Sequence, residues 1–366
     1  MEVPHESAHR KIPLCGVVGG IAGAAPIAAG GAETGSTQTV PAPSACGFFR
    51  ITMSERIIIA GGTGFLGGAL AKHFLALGWQ VLVLTRQPKP RADGVREIAW
   101  DGETIGDWAA ELEGTEAVVN LCGKSVDCRY TAKNRRRLIE SRTKPTRAIG
   151  QAIAKCKVPP RVWLNASSAT LYRHTFDTPM DENGPQGATP EAKDEFSIEI
   201  INQWERALNE VPTPRTRKVA LRTTMILGIS RNSVVPVLRR LTRLGLGGRM
   251  GSGRQYVSWM HEADFCRAVE WIIAHENLSG PINMAAPNPL PNAEMMRTFR
   301  ELCGMPIGLP ATEWMLEIGA FFIRTETELI IKSRRVVPGR LLTSGFEFQF
   351  PRFREAVAEV MGLNPG

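Results

Sequence analysis

A glycine-rich turn between an apolar run and a helical pattern constrains this 366-residue chain more than any other feature. The stretch is RIIIAGGTGFLGGALAKHF, residues 56–74, with the glycine spacing GxxGxxG. Gly61 permits a tight turn, Gly64 lets the backbone approach a diphosphate, and Gly67 lets the helix pack close to the strand. The pattern predicts a dinucleotide site at the helix N-terminus, with a ligand-free turn as the alternative. The residues expected to hold the ligand are Gly61, Thr63, Gly64, Phe65, Leu66 and Gly67.

Short β-rich runs alternate with helical runs from Arg56 onward, which predicts an α/β fold with a parallel sheet. The candidate strands are residues 56–60, 80–84, 96–99, 116–120, 161–166 and 218–222. The candidate helices lie near 64–78, 131–157, 194–210, 261–275, 291–302, 312–335 and 351–361. We expect a Rossmann-type doubly wound parallel sheet over residues 53–230. A small, mostly helical C-terminal lobe over residues 231–366 is expected on the substrate side.

Residues 1–52 differ in composition from the rest of the chain, because glycine, alanine, proline, serine and threonine dominate them. Such a segment buries too little side chain to offset the entropy of ordering. We therefore expect a disordered or non-native N-terminal extension, with Met53 as an alternative start. A targeting segment is the second interpretation, since Arg10 and Lys11 precede a weakly apolar stretch.

The composition limits the partners. The net charge is +8, which suits a cofactor phosphate as well as nucleic acid. The basic run 133–147 contains no aromatic residue for base stacking, so we interpret it as a helix face and expect no nucleic acid. No uncharged apolar run reaches about 18 residues, so no membrane partner is expected. The seven cysteines include no CxxC pair, which predicts no metal site and a reducing, cytoplasmic compartment.

The second predicted strand indicates which dinucleotide is bound. Selectivity for NAD usually places an acid at the end of this strand, against the ribose hydroxyls. Here the strand ends in Thr85 and Arg86, with no acid nearby. A guanidinium can pair with a 2′-phosphate, so these two residues predict NADP(H). A solvent-facing Arg86 is the alternative.

The fourth predicted strand ends in VVNLCG, residues 118–123, at the edge where open α/β sheets bind ligands. We expect the backbone of Leu121, Cys122 and Gly123 to border the cofactor. No base is suggested beside Cys122, so it is interpreted as a wall residue rather than a nucleophile.

These segments resemble the extended short-chain dehydrogenase/reductase superfamily, through GGTGFLG, NLCG and NASSATLYR (165–173). The chain is more similar to an atypical branch, the epimerase-family proteins with a C-terminal domain of unknown function, sometimes labelled cell-division inhibitor homologues. GLGGRMGSGRQYVSWMHEADF (245–265) and SRRVVPGRLLTSGFEFQFP (333–351) carry that likeness. It covers about 310 residues from Met53 and implies a Rossmann fold that binds NADP.

The superfamily's chemistry implies a Tyr-x-x-x-Lys pair on one helix face, and the chain has none. Its three tyrosines are followed four residues later by Asn134, Phe176 and Met260. In the helix expected to carry the pair, Ser197 and Ile201 occupy the two positions when Glu205 is the anchor. A frame shifted by one gives Phe196 and Ile200. Neither frame contains a phenol or a cation.

The resemblance implies other residues near the nicotinamide. Ser168 lies where the superfamily places a catalytic serine or threonine, and Tyr172, four residues later, is the best remaining phenol. A structural wall residue is the alternative for Tyr172. Arg142 matches a position where the branch places a cofactor-contacting arginine, expected on the phosphates. The backbone around Ile226 is expected to cover the nicotinamide end.

Two function classes follow from these observations. The first is an NADP-dependent oxidoreductase or epimerase that acts on an unidentified small molecule through Ser168 and Tyr172. The second is a non-catalytic NADPH-binding protein that acts through protein partners, in cell division for example. A homodimer is left open in both.

Overall fold

The computed structural model describes residues 55–230, 233–312, 315 and 328–363. The predicted N-terminal extension therefore lies outside the described residues, as does most of the helix predicted over 312–335. No helix within the described part of the chain is long and apolar enough to cross a membrane.

A seven-stranded parallel sheet forms the centre of the fold. Its strands are β1 (Arg56–Ala60), β2 (Gln80–Thr85), β3 (Arg96–Ala99), β4 (Ala117–Asn120), β5 (Val162–Ser168), β6 (Arg217–Thr223) and β10 (Gly280–Met284). They lie side by side in the order β10-β6-β5-β4-β1-β2-β3. Chain order reverses at β1, between β4 and β2, and this is where such sheets open a ligand crevice. The predicted Rossmann-type sheet is confirmed.

Helices cover both faces of the sheet because its strands are apolar on both sides. Ile57 and Ile59 pack in one core with helices α1 (Phe65–Ala76) and α5 (Glu262–Ala274). Ile58 faces the opposite core with helix α2 (Ala132–Lys155). Helix α3 (Glu195–Glu210) packs beside α2. Alternate side chains of one strand therefore hold two helical layers.

The C-terminal lobe is mostly helical, as expected, and has its own apolar core. Its helices are α4 (Val234–Leu241), α6 (Asn292–Leu302), α7 (Glu328–Ile331), α8 (Gly339–Thr343) and α9 (Phe353–Val360). Two small sheets pair β7 (Met225–Leu227) with β9 (Trp259–His261), and β8 (Tyr256–Val257) with β11 (Leu290–Pro291). The boundary between lobes at residue 230 stays a prediction.

Buried acids attach the last segment of the chain to the rest of the structure. Asp264 of α5 is fully buried and accepts hydrogen bonds from the backbone amides of Gln349 and Phe350, both at 2.8 Å. Glu182 accepts from the amides of Asn283 (2.9 Å) and Arg340 (3.1 Å). Burial raises the pKa of Glu182. The motif 333–351 is therefore anchored on both α5 and the sheet.

Candidate functional site

The glycine turn after β1 has the geometry that a diphosphate needs. Gly61 has φ +80°, and a Cβ there would lie 3.0 Å from the carbonyl carbon of Leu121. A Cβ on Gly67 would lie 2.5 Å from the carbonyl oxygen of Gly61. The strand, the turn and α1 thus approach too closely for any side chain at these positions.

The start of α1 is open. The first intrahelical bond runs from the Gly68 amide to the Gly64 carbonyl at 2.9 Å, and no side chain caps the helix. The amides of Phe65, Leu66 and Gly67 precede that bond, and the first turn carries no acid. Thr63 and Gly64 are exposed at the tip. This helix end therefore presents amide donors and a positive dipole to an anion.

The end of β2 presents a positive charge. Arg86 is exposed, and among the described residues it has no hydrogen bond or ion pair, while Thr85 is half-buried beside it. The Arg86 charge acts on Cys122, across β1 at the end of β4. Burial raises the pKa of the Cys122 thiol to about 12, and Arg86 opposes that rise. The thiol is therefore protonated near neutral pH.

Asn120 shapes the turn after β4. It is fully buried, and its Oδ1 accepts a hydrogen bond from the Cys122 amide at 3.1 Å. Its Nδ2 donates to Asn165 Oδ1 at 2.7 Å and to Thr146 Oγ1 at 3.1 Å. The backbone from Leu121 to Cys122 consequently lies against Gly61, next to the glycine turn.

Arg142 lies on α2 beside this turn. Its Cζ is 3.4 Å from the position of a Cβ on Gly123 and 5.1 Å from the ring centre of Trp204. Nη1 donates to the Leu138 carbonyl at 2.9 Å, and among the described residues no carboxylate pairs with the guanidinium. Burial lowers the pKa of Arg142 to about 10. A buried guanidinium without a counter-ion at the sheet edge can hold an anionic ligand.

Ser168 ends β5 at the carboxyl edge of the sheet and is half-buried. Its Oγ accepts a hydrogen bond from the Thr170 amide at 3.2 Å, and it lies 3.1 Å from Thr170 Oγ1. It thereby caps a short 3-10 helix, Ala169–Leu171. The hydroxyl is held in place by these two contacts, on a residue that is not fully buried.

Tyr172 belongs to a buried hydrogen-bond network. It is 2% exposed, its hydroxyl donates to Asn283 Oδ1 at 2.8 Å and accepts from Arg222 Nη1 at 2.9 Å. Arg222 also donates to both carboxylate oxygens of Glu205, at 2.9 and 3.0 Å, and Ser167 donates to Glu205 at 2.6 Å. Burial raises the pKa of Tyr172. A catalytic role for Tyr172 stays a prediction, and substrate contact would require this network to open.

The positions of the missing pair are buried on α3. Ser197 is 6% exposed and Ile201 is 3% exposed. The hydroxyl of Tyr130, from the loop before α2, lies 3.5 Å from Ser197 Oγ. The sequence analysis missed this contact, and no local signal could have found it, because 67 positions separate the two residues. Ile226 lies in β7 and is 9% exposed, in the core shared with the sheet.

Comparison with known families gives two matches. Residues 57–285 match the NAD dependent epimerase/dehydratase family, and residues 311–360 match a domain of unknown function, DUF1731. Epimerase family protein SDR39U1 of Bos taurus is 30% identical over 310 residues, which are 84% of this chain and 99% of that protein. Epimerase family protein ML0860 of Mycobacterium leprae is 31% identical over 306 residues, 82% of this chain and 94% of that protein.

Solved structures have the same fold. The crystal structure of human epimerase family protein SDR39U1 (isoform 2) with NADPH has a TM-score of 0.73 and 29% identity, covering 84% of this chain and 99% of that one. UDP-N-acetylglucosamine 4-epimerase from Bacillus cereus has a TM-score of 0.64 at 18% identity, covers 85% of this chain and 98% of that one, and shows the fold alone. The predicted resemblance to an atypical extended short-chain dehydrogenase/reductase is confirmed. The chain belongs to the NAD dependent epimerase/dehydratase family.

Proposed function

We propose that this chain binds NADP(H) and acts as an oxidoreductase or epimerase on an unidentified small molecule. The observation that carries the proposal is the glycine turn, where Gly61 and Gly67 leave no room for a Cβ beside an open helix N-terminus. Such a turn fits a diphosphate between backbone amides. Human SDR39U1, which shares 29% of its sequence with this chain, was crystallised with NADPH.

Arg86 is the proposed selector for the 2′-phosphate. Its guanidinium is exposed at the end of β2, next to Thr85, and no acid at the strand end would repel the phosphate. Arg142 and the backbone from Leu121 to Gly123 border the opposite side of the turn. A positive charge on each side of the glycine turn suits a ligand with several phosphates.

When bound, NADP(H) would supply or accept the hydride. The chain's own residues orient the substrate, and Ser168 is the proposed contact for a substrate oxygen because its hydroxyl is fixed at the carboxyl edge of β5. Ser168 lies between Ser167 and Tyr172 in the chain. Glu205 accepts a hydrogen bond from Ser167, and Arg222 donates both to Glu205 and to the Tyr172 hydroxyl. We assign Tyr172 to positioning the Ser168 loop, in agreement with its burial.

Titration of the full chain with NADPH and with NADH, followed by nicotinamide fluorescence, tests the cofactor assignment. We expect NADPH to bind more tightly. Arg86→Met should weaken NADPH binding about 10- to 100-fold, the value of one charge-assisted contact of about 1.5–3 kcal/mol, and leave NADH binding unchanged. Lys89→Met is the matched control, since it removes an exposed cation three residues away. An equal loss of NADPH affinity in Arg86→Met and Lys89→Met would contradict the role of Arg86. So would equal affinity of the wild-type chain for NADPH and NADH.

The absence of a phenol and a cation at Ser197 and Ile201 favours a second candidate, an NADPH-binding protein that acts through protein partners. Stereospecifically labelled NADPH, incubated with the chain and a metabolite extract, separates the two. If label passes from NADPH to a metabolite, and the Ser168→Ala variant no longer transfers it, the chain is an enzyme. Tight NADPH binding without transfer of label supports the binding protein.

A further inference from the structure

A buried ion pair joins the C-terminal part of the chain to the start of α3. Lys332, directly after α7, donates a hydrogen bond through Nζ to Asp194 Oδ2, and both side chains are 0% exposed. Removing two charges from water costs so much free energy that an apolar pair of similar volume is often as stable or more stable. Stability alone is therefore a weak reason for this pair, and the groups that it holds in place matter more.

The same lysine reaches the loop that contains Ser168. Its Nζ also donates to the carbonyl oxygen of Thr170, in the 3-10 helix Ala169–Leu171, at 2.5 Å. The amide of Thr170 in turn donates to Ser168 Oγ at 3.2 Å, and Thr170 Oγ1 lies 3.1 Å from the same oxygen. A single residue, Thr170, therefore connects the lysine ammonium to the Ser168 hydroxyl.

The loop before α3 is strained where it places Asp194. Lys193 has φ +51°, and it is the one non-glycine residue with a positive φ among those that the structure describes. A residue with a side chain rarely adopts this left-handed conformation unless surrounding contacts impose it. Here the Lys193 amide donates to the Thr189 carbonyl at 3.2 Å, and the Thr189 amide donates to Asp194 Oδ1 at 3.0 Å. The Asp194 carboxylate is consequently held by this turn through one oxygen and by Lys332 through the other.

The segment that carries Lys332 is itself fixed. Ser333 is fully buried, its amide donates to His174 Nδ1 at 3.0 Å, and its Oγ accepts from the Tyr256 amide at 2.9 Å. Lys332 belongs to the region 311–360 that matches the domain of unknown function, whereas its two partners belong to the region 57–285 that matches the epimerase/dehydratase family. The second matched region thus supplies a buried cation to the loop that follows β5 in the first.

We propose that Lys332 is a positioning residue, which holds the Ser168 hydroxyl and the start of α3 in one arrangement at the candidate site. The inference rests on the proposed function, in which Ser168 contacts a substrate oxygen. The lysine acts through Thr170 and does not itself touch the substrate, since its side chain is fully buried. The C-terminal domain of unknown function therefore completes the site, because it supplies the group that orients the serine.

Hydrogen–deuterium exchange of the full chain, read by mass spectrometry of overlapping peptides, tests this role at the Thr170 amide. That amide donates to Ser168 Oγ, so its exchange rate reports how firmly the hydroxyl is held. We expect protection in the wild type, and Ser168→Ala should remove it. Lys332→Met should raise exchange at Thr170 about 10-fold or more, the value of one hydrogen bond to a charged group. Lys144→Met is the matched control, because this lysine is 39% exposed in its pair with Glu103 and should leave Thr170 exchange unchanged.

A double variant separates positioning from simple compensation of charge. Lys332→Met/Asp194→Asn leaves no unpaired charge and keeps a side-chain oxygen for the Thr189 amide, so its free energy of unfolding should exceed that of Lys332→Met alone. The Thr170 carbonyl still lacks its donor, so fast exchange at Thr170 should persist. A return of Thr170 exchange to the wild-type rate in the double variant would overturn the proposal. So would a wild-type Thr170 amide that exchanges as fast as an exposed loop, and that result requires no variant to fold.

NADPH titration and label transfer distinguish this inference from the proposed function. We expect the double variant to bind NADPH as tightly as the wild type and to transfer label about 10-fold more slowly or less. Wild-type rates of transfer in the double variant would remove the positioning role and retain the cofactor site. Absence of NADPH binding to the wild-type chain would instead remove the proposed function itself.

Discussion

The ion pair between Glu205 and Arg222 gives the sharpest test of how the site is held. The Arg222 side chain is 4% exposed and the Glu205 side chain is 19% exposed. Burial lowers the pKa of Arg222, but the hydrogen bonds and charge of Glu205 outweigh burial and keep it raised. Glu205→Gln keeps the shape of the side chain and removes the charge. It leaves Arg222 buried without a carboxylate and places an amide N–H₂ against guanidinium donors.

The size of the effect follows from these contacts. Removal of one partner of a buried ion pair typically destabilises a protein by 3–5 kcal/mol, and the partial exposure of Glu205 places this case near the lower end, at about 3 kcal/mol. Glu210→Gln on the same helix is the matched control. Glu210 is 49% exposed in its pair with Arg147, so its loss should change the free energy of unfolding by less than about 1 kcal/mol.

Urea unfolding followed by circular dichroism measures both variants. The double variant Glu205→Gln/Arg222→Met should recover part of the lost free energy, because no unpaired charge remains buried. An effect of Glu205→Gln no larger than that of Glu210→Gln would refute the reasoning. So would a double variant less stable than Glu205→Gln alone, because the penalty would then not come from an uncompensated charge.

Two further predictions concern the glycine turn and the turn after β4. Gly67→Ala should destabilise the chain by about 1–3 kcal/mol and weaken NADPH binding, because its Cβ would lie 2.5 Å from the Gly61 carbonyl oxygen. Gly68→Ala meets no atom within 4 Å and should be neutral or slightly stabilising in unfolding experiments, so similar losses in both would contradict the packing argument. With a pKa of about 12, Cys122 carries thiolate in only about one molecule in 10⁴ at pH 8, and this fraction rises with pH. Native alkylation by iodoacetamide, read by mass spectrometry, should therefore leave the half-buried Cys122 unmodified, and labelling as fast as that of a free thiol would show that its pKa is not raised.

The local pattern of the sequence determined most of the sheet and its helices. The six predicted strands and the helices α1, α2, α3, α5, α6 and α9 depend on periodicity, caps and glycines, which act over a few residues. The strand β10 was missed, because GPINM is short and becomes a strand by adding to the edge beside β6. The glycine turn was also predictable from local sequence, since Gly61, Gly64 and Gly67 lie within seven consecutive residues.

Only the tertiary structure decided which side chains of the candidate site are buried and which are brought into contact. The sequence makes Tyr172 a candidate catalytic phenol, but in the structure it is buried and hydrogen-bonded to Asn283 and Arg222. Nothing in the sequence near Tyr130 links it to α3, but the packing of α2 beside α3 brings its hydroxyl close to Ser197. Burial and side-chain contacts form between segments that are far apart in the chain, so they depend on which helices pack together. Such contacts leave no periodic pattern along the sequence, and local sequence therefore cannot predict them.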